Sequence, residues 1–127
     1  MIENFGIGID ISNIEKFKNK PFKENENFYK KIFLEEEITY CLKFTNYYEK
    51  FAAKFALKEA LIKSINKKIF FSEIETSYLD AKPTVQILNS DKNYRFLASL
   101  SHENNIAVAV VISEKINSST NEFPCVI

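Results

Sequence analysis

The sequence predicts an α+β fold, a mostly antiparallel sheet packed against one long central helix. Helical patterns come early and paired strand patterns come late, which separates the two kinds of structure along the chain. The stretch FAAKFALKEALIKS, Phe51 to Ser64, is apolar almost all round, the pattern of a helix buried on several sides. From residue 69 onward, alternating strand patterns are divided by short turn sequences, as in hairpins. A chain of 127 residues fits one domain, and 46 % hydrophobic content supplies its core. We expect a single domain over 1–113 and a polar, disordered tail over 114–127.

Each element has its own signature. Phe5 to Ile11 reads as a strand, with Ile7, Ile9 and Ile11 alternating with Gly6, Gly8 and Asp10. Ser12 to Glu15, Ser-Asn-Ile-Glu, fits a capping box opening a short helix, and Pro21 closes that region. Leu34 to Phe44 reads as a second helix with three Glu in its first turn, where the helix dipole favours them. Thr45 to Tyr47 links it to the long helix. Ile69 to Leu79 reads as a strand, Asp80 to Pro83 as a turn and Thr84 to Leu88 as the partner strand. Tyr94 to Ser101 and Ile106 to Ile112 form the last pair, joined by His102 to Asn105.

Composition removes several function classes. The formal net charge is zero, so nothing marks a nucleic-acid binder. No apolar run approaches a membrane span, and Glu3, Asn4 and Asp10 interrupt any leader pattern. Cys41 and Cys125 are far apart and lack metal-ligand spacing. The expectation is a soluble protein of the reducing cytoplasm. The neutral total hides an asymmetry, since Lys16 to Lys31 holds six Lys against Glu24 and Glu26. Two readings stand: a solvated face, which composition favours, or a docking face for an acidic partner.

Three places hold candidate chemistry. Gly6, Gly8 and Asp10 share one face of the first strand, a trough with a carboxylate at its end. Glycines there mark close approach of a ligand or of a packed helix, and the sequence leaves both open. Glu59 and Lys63 are one helical turn apart inside the apolar surround, beside a row of Ala52, Ala56 and Ala60. A carboxylate against apolar surface needs a partner, and a metal ion or a metal–phosphate complex suits. His102, the one histidine, follows Ser99-Leu100-Ser101, and Ser and His both donate hydrogen bonds to phosphate.

Taken in order, GIGIDI, KFALKEALIKS, AKPTV and SLSHENNIAVAVV resemble the motifs of the holo-acyl-carrier-protein synthase family, the short class of 4'-phosphopantetheinyl transferases, over residues 5–112. The resemblance implies a Mg2+-dependent enzyme that moves the 4'-phosphopantetheine group from coenzyme A to a serine of an apo acyl-carrier protein and releases 3',5'-ADP. It implies that Asp10 and Glu59 hold Mg2+, and that Glu59 and Lys63 carry the chemistry. Lys54, Lys63, Ser101 and His102 are implied to contact coenzyme A. Lys16 is implied to dock the carrier, and the protein to be a homotrimer with shared active sites; the local lysine excess extends the docking face to Lys20. The chain departs from the family at Asn66-Lys67-Lys68, where a Gly-Thr-Gly loop is usual, and at Ala81, Asn13 and Leu34, where Gly, Glu and Ser or Thr are usual. Two rivals remain: another Mg2+-dependent enzyme of nucleotide chemistry, and a non-catalytic binding subunit of the same fold.

Overall fold

The computed structural model describes residues 2–88 and 93–116. After a 3-10 turn at Ile2–Asn4, strand β1 runs Phe5–Asn13, followed by helices α1 (Glu15–Lys18), α2 (Glu26–Ile32), α3 (Glu35–Cys41) and α4 (Tyr47–Ile65). Strands β2 (Ile74–Leu79), β3 (Lys82–Ile87), β4 (Tyr94–Glu103) and β5 (Ile106–Lys115) complete the order. The expected α+β class holds. One sheet has the order β1-β5-β4 and the second is the β2-β3 hairpin; every pairing is antiparallel.

Helix α4 crosses the three-stranded sheet and is the centre of the molecule. Its first half packs into an aromatic cluster with Phe17, Tyr29 and Phe33, where Phe51 lies 4.7 Å from the Tyr29 ring and 4.9 Å from that of Phe33. Its second half packs Leu57 and Leu61 against Ile74, Val85 and Val111. The two glycines of β1 explain how the helix comes so close. A Cβ on Gly6 would overlap the Ser64 carbonyl, and one on Gly8 would overlap that of Ala60. The trough is therefore filled by helix backbone, which decides between the two readings left open above. Ser113 on β5 donates to the same Ser64 carbonyl at 3.0 Å.

Several local expectations are corrected. Ser12 does not cap a helix; it lies buried within β1, and the Asn13 side chain accepts from the Glu15 N–H instead. The sequence reading missed α2, whose buried Tyr29 and Ile32 lie among exposed lysines that suggested only surface. Residues 71–73 form a 3-10 turn, so β2 starts at Ile74 and not at 69. The hairpin turn is only Asp80-Ala81, with φ of 51° and 70°, so Lys82 and Pro83 already belong to β3. Strand β5 runs to Lys115, three residues past the expected end at Ile112, because Glu114 pairs with Phe5 and Arg95. The tail from 117 lies outside the described residues.

At Leu34, where a capping hydroxyl was missing, the Glu37 carboxylate reaches back to accept from the Leu34 N–H at 2.8 Å. At the far end of α4, Asn66 takes the left-handed conformation at φ 55° and its N–H bonds the Ile62 carbonyl, which is how a helix stops without glycine. Among the described residues, no helix is long and apolar enough to cross a membrane.

Candidate active site

The carboxylate pair comes from two elements locked together by the glycine contact. Asp10 follows Gly8 on the helix-facing side of β1, and Glu59 sits on α4 beside Ala60, the residue whose carbonyl covers Gly8. Helical spacing allows an ordinary Glu59–Lys63 pair, but Lys63 makes its direct contacts elsewhere. The Lys63 ammonium crosses to β1, 3.3 Å from Asp10 Oδ1, and also donates to the Ile9 carbonyl at 3.1 Å. Partial burial, and then the nearby Asp10 charge, raise the Glu59 pKa, while Lys63 and Lys16 pull it back. Asp10, Glu59, Lys63 and Lys16 thus share one electrostatic neighbourhood. The Lys16 ammonium also lies over the Phe55 ring, 3.9 Å from its centroid.

This donor set fits a hard divalent ion. Two carboxylates within electrostatic reach repel, and a cation already rests on one of them. Among the described residues, no group of three or more His, Cys, Asp or Glu forms an all-protein metal cage. Mg2+ characteristically takes one or two carboxylates and fills its octahedron with water and substrate phosphates.

The other candidates fall elsewhere. Lys54 is only 2 % exposed and points away from the carboxylates, donating to Thr76 O at 3.2 Å and Thr76 Oγ1 at 3.1 Å between the Tyr40 and Tyr78 rings. Burial lowers its pKa. It lines a small cleft with Glu36, Glu75 and Ser77. Ser101 and His102 lie just before the end of β4 at Glu103, and successive strand residues face opposite ways. His102 lies in register with Ala107 and Ser12, on the face of Asp10 but two strand spacings, about 10 Å, from β1. Ser101 aligns with Val108 and Ile11 on the opposite face. Lys20 sits beside the Phe28 ring on the exposed side of the aromatic cluster.

The sequence reading missed the most deeply buried charges. Lys58 is fully buried and pairs with Glu37 at 2.8 Å, while donating to the carbonyls of Ile32 and Phe71. Glu37 Oε2 accepts from both the N–H and the hydroxyl of Thr76 at 2.7 Å. The available signal was Lys58 itself, a charge flanked by Leu57 and Leu61, overlooked in favour of its neighbour Glu59.

Residues 6–111 match the family model of the 4'-phosphopantetheinyl transferase superfamily. A holo-[acyl-carrier-protein] synthase of Thermodesulfovibrio yellowstonii is 39 % identical over 115 residues, covering 88 % of this chain and 98 % of that protein. One from Chlamydia trachomatis is 38 % identical over 118 residues, covering 87 % and 99 %. The crystal structure of the Helicobacter pylori holo-[acyl-carrier-protein] synthase in complex with coenzyme A is similar at a TM-score of 0.73 and 28 % identity, over 85 % of this chain and 99 % of that one. Both glycines of β1, the buried helix with its carboxylate and most of the final hairpin lie inside the matched span, and the chain belongs to the 4'-phosphopantetheinyl transferase superfamily.

Proposed function

We propose that this chain is a holo-acyl-carrier-protein synthase, transferring 4'-phosphopantetheine from coenzyme A to a serine of an apo acyl-carrier protein. The observation that carries this is the meeting of Asp10 and Glu59 under two lysines, on a scaffold shared with relatives bearing that name. In the reaction the serine oxygen bonds to the β-phosphorus of coenzyme A. The bond from that phosphorus to the bridging oxygen breaks, and 3',5'-ADP leaves. Asp10 and Glu59 would hold Mg2+, which when bound would neutralise the pyrophosphate charge. Lys63 is placed to exchange its contact with Asp10 for a phosphate oxygen. Glu59, on α4 beside the Lys63–Asp10 pair, is the chain's own acceptor for the serine proton. Positioning and charge stabilisation dominate phosphoryl transfer, so this short residue set suffices.

The active protein is a homotrimer in this proposal. The outer face of the three-stranded sheet exposes Ile7, Ile9, Ile11 and Leu97, the first 69 % and the last 72 % accessible. So large an apolar surface on a small chain marks an interface, and the number three comes from the family. A site shared between subunits also accounts for why Ser101 and His102 stand apart from Asp10 within one chain. Lys16 and Lys20 form the carrier-docking face, and the cytoplasm, where coenzyme A and apo-carriers meet, is the place of action.

The test is to incubate the protein with coenzyme A, Mg2+ and candidate apo-carriers and to weigh the carriers. A gain of one phosphopantetheine that chelation abolishes and that slows as salt rises is the expected result. Hydrolysis of adenine nucleotides without carrier modification points to the other Mg2+-dependent chemistry. Binding of coenzyme A with no transfer points to a non-catalytic subunit.

A further inference from the structure

We infer that Glu37, Lys58 and Thr76 are positioning residues for the reaction, a buried polar clamp that fixes the rotation of α4 and so sets Glu59 opposite Asp10. The inference rests on the reading of Asp10 and Glu59 as the active site.

Helix α4 is held on two sides by very different contacts. Toward β1 it rests on Gly6 and Gly8 through bare backbone. That surface fixes distance, and the side-chain ties across it come from Lys63, a half-exposed lysine of the site itself, and from Ser113 to the last turn of the helix. On the other side, Lys58 extends three directional bonds: to Glu37 of α3 at 2.8 Å, to the Ile32 carbonyl at the end of α2 at 2.8 Å, and to the Phe71 carbonyl at 3.0 Å. Glu37 is in turn fixed by the Leu34 N–H and by both donors of Thr76 on β2. One ammonium therefore refers α4 to α2, α3, β2 and the turn before it.

Glu59 is the next residue, about 100° further round the same helix. Any rotation that relaxes Lys58 moves Glu59 with it. At an outer radius of about 6 Å, a turn of about 10° shifts a side-chain tip by about 1 Å. A misplacement of that size costs roughly 100-fold in rate. An interior ion pair gives little net stability over apolar residues of the same shape. Its directional bonds are what an apolar pair lacks.

The test uses Glu37→Gln, which removes the charge and keeps the shape, and Thr76→Val, which removes the hydroxyl that donates to Glu37 and accepts from Lys54 but leaves the backbone donor to Glu37 and the backbone acceptor of Lys54. Each is assayed well below its melting temperature for kcat, for KM of coenzyme A and for Mn2+ affinity in the presence of coenzyme A, read by electron paramagnetic resonance. The expected result is a kcat loss of at least about 10-fold in Glu37→Gln and a smaller one in Thr76→Val. Mn2+ affinity falls alongside, and KM for coenzyme A changes less than about 3-fold. Either variant with kcat and Mn2+ affinity at the wild-type level and only a lower melting temperature overturns the inference. So does a kcat loss with unchanged Mn2+ affinity, because the clamp then does not act through Glu59. If Glu37→Gln does not fold, Thr76→Val alone decides by the same criteria. Glu59→Gln serves as the control: should it transfer normally, the underlying reading of the site fails, whatever the clamp variants do.

Discussion

At the scale of single residues, the half-buried Glu59 gives a prediction with a definite sign. Its folded-state pKa lies above the ordinary glutamate value, first through burial and then through Asp10. The metal-free folded state then binds more protons than the unfolded chain between those two values. Stability is fullest below the ordinary glutamate pKa and is lost as pH rises through the folded pKa. Glu59→Gln, without metal, should melt higher than wild type at neutral pH, and the gap should close in acid. Thermal melts across that range check it, and a wild type that melts higher at neutral pH would contradict the assignment. The same variant should lose transfer while keeping its fold. Ala81 gives a second prediction. It sits at φ 70° in a two-residue hairpin turn of the kind that glycine suits. Ala81→Gly should stabilise by about 1 kcal/mol in urea titration, since a left-handed alanine carries about that strain. Of this residue-scale picture, Asp10, Glu59 and Lys63 were legible as charges in apolar or glycine settings. The Lys63–Asp10 partnership was not, because the partners are 53 residues apart and helical spacing points Lys63 at Glu59.

Among the elements, the contact of β1 with α4 governs the rest. Gly8→Ala would drive a methyl group into the Ala60 carbonyl and the Ser64 N–H. Backbone cannot yield as a side-chain end does, so the cost should reach or exceed the roughly 3 kcal/mol upper end of ordinary overpacking. Circular dichroism melts should show a large drop or no cooperative transition. A loss under about 1 kcal/mol would mean that the helix has room to move away. Elements with one strong period were legible: β1 from its alternation and α4 from its unbroken apolar run. Helix α2 was not, because seven residues bearing Lys30 and Lys31 give little period to read. Its place is fixed by Tyr29, whose hydroxyl bonds the carbonyls of Phe17 and Lys20 from the interior of the aromatic cluster. Cys41 at the end of α3 is equally a tertiary matter; burial pushes its thiol up to about 12, so it is inert packing and not a reactive group.

For the whole molecule, the decisive surface is the outer face of the three-stranded sheet. Ile9→Asp places a charge in the middle of that face without touching the side that carries α4. Light scattering should show the proposed trimer fall to a 14.8 kDa chain, with melting little altered below the dissociation range. Transfer should fall with it if the site is shared between subunits. A variant that stays assembled would move the interface elsewhere. The sequence by itself determined the class, the long buried helix and the glycine strand, and it singled out Asp10 and Glu59 as candidates, because each is written in local period or in a charge set among apolar neighbours. Tertiary structure alone decided that helix backbone fills the glycine trough and that Lys63 reaches Asp10. It alone showed that Lys54 turns inward to Thr76, and that Glu37 and Lys58 meet in the interior. Those pairings join residues on separate elements, and only packing sets the distance and rotation that bring such residues together.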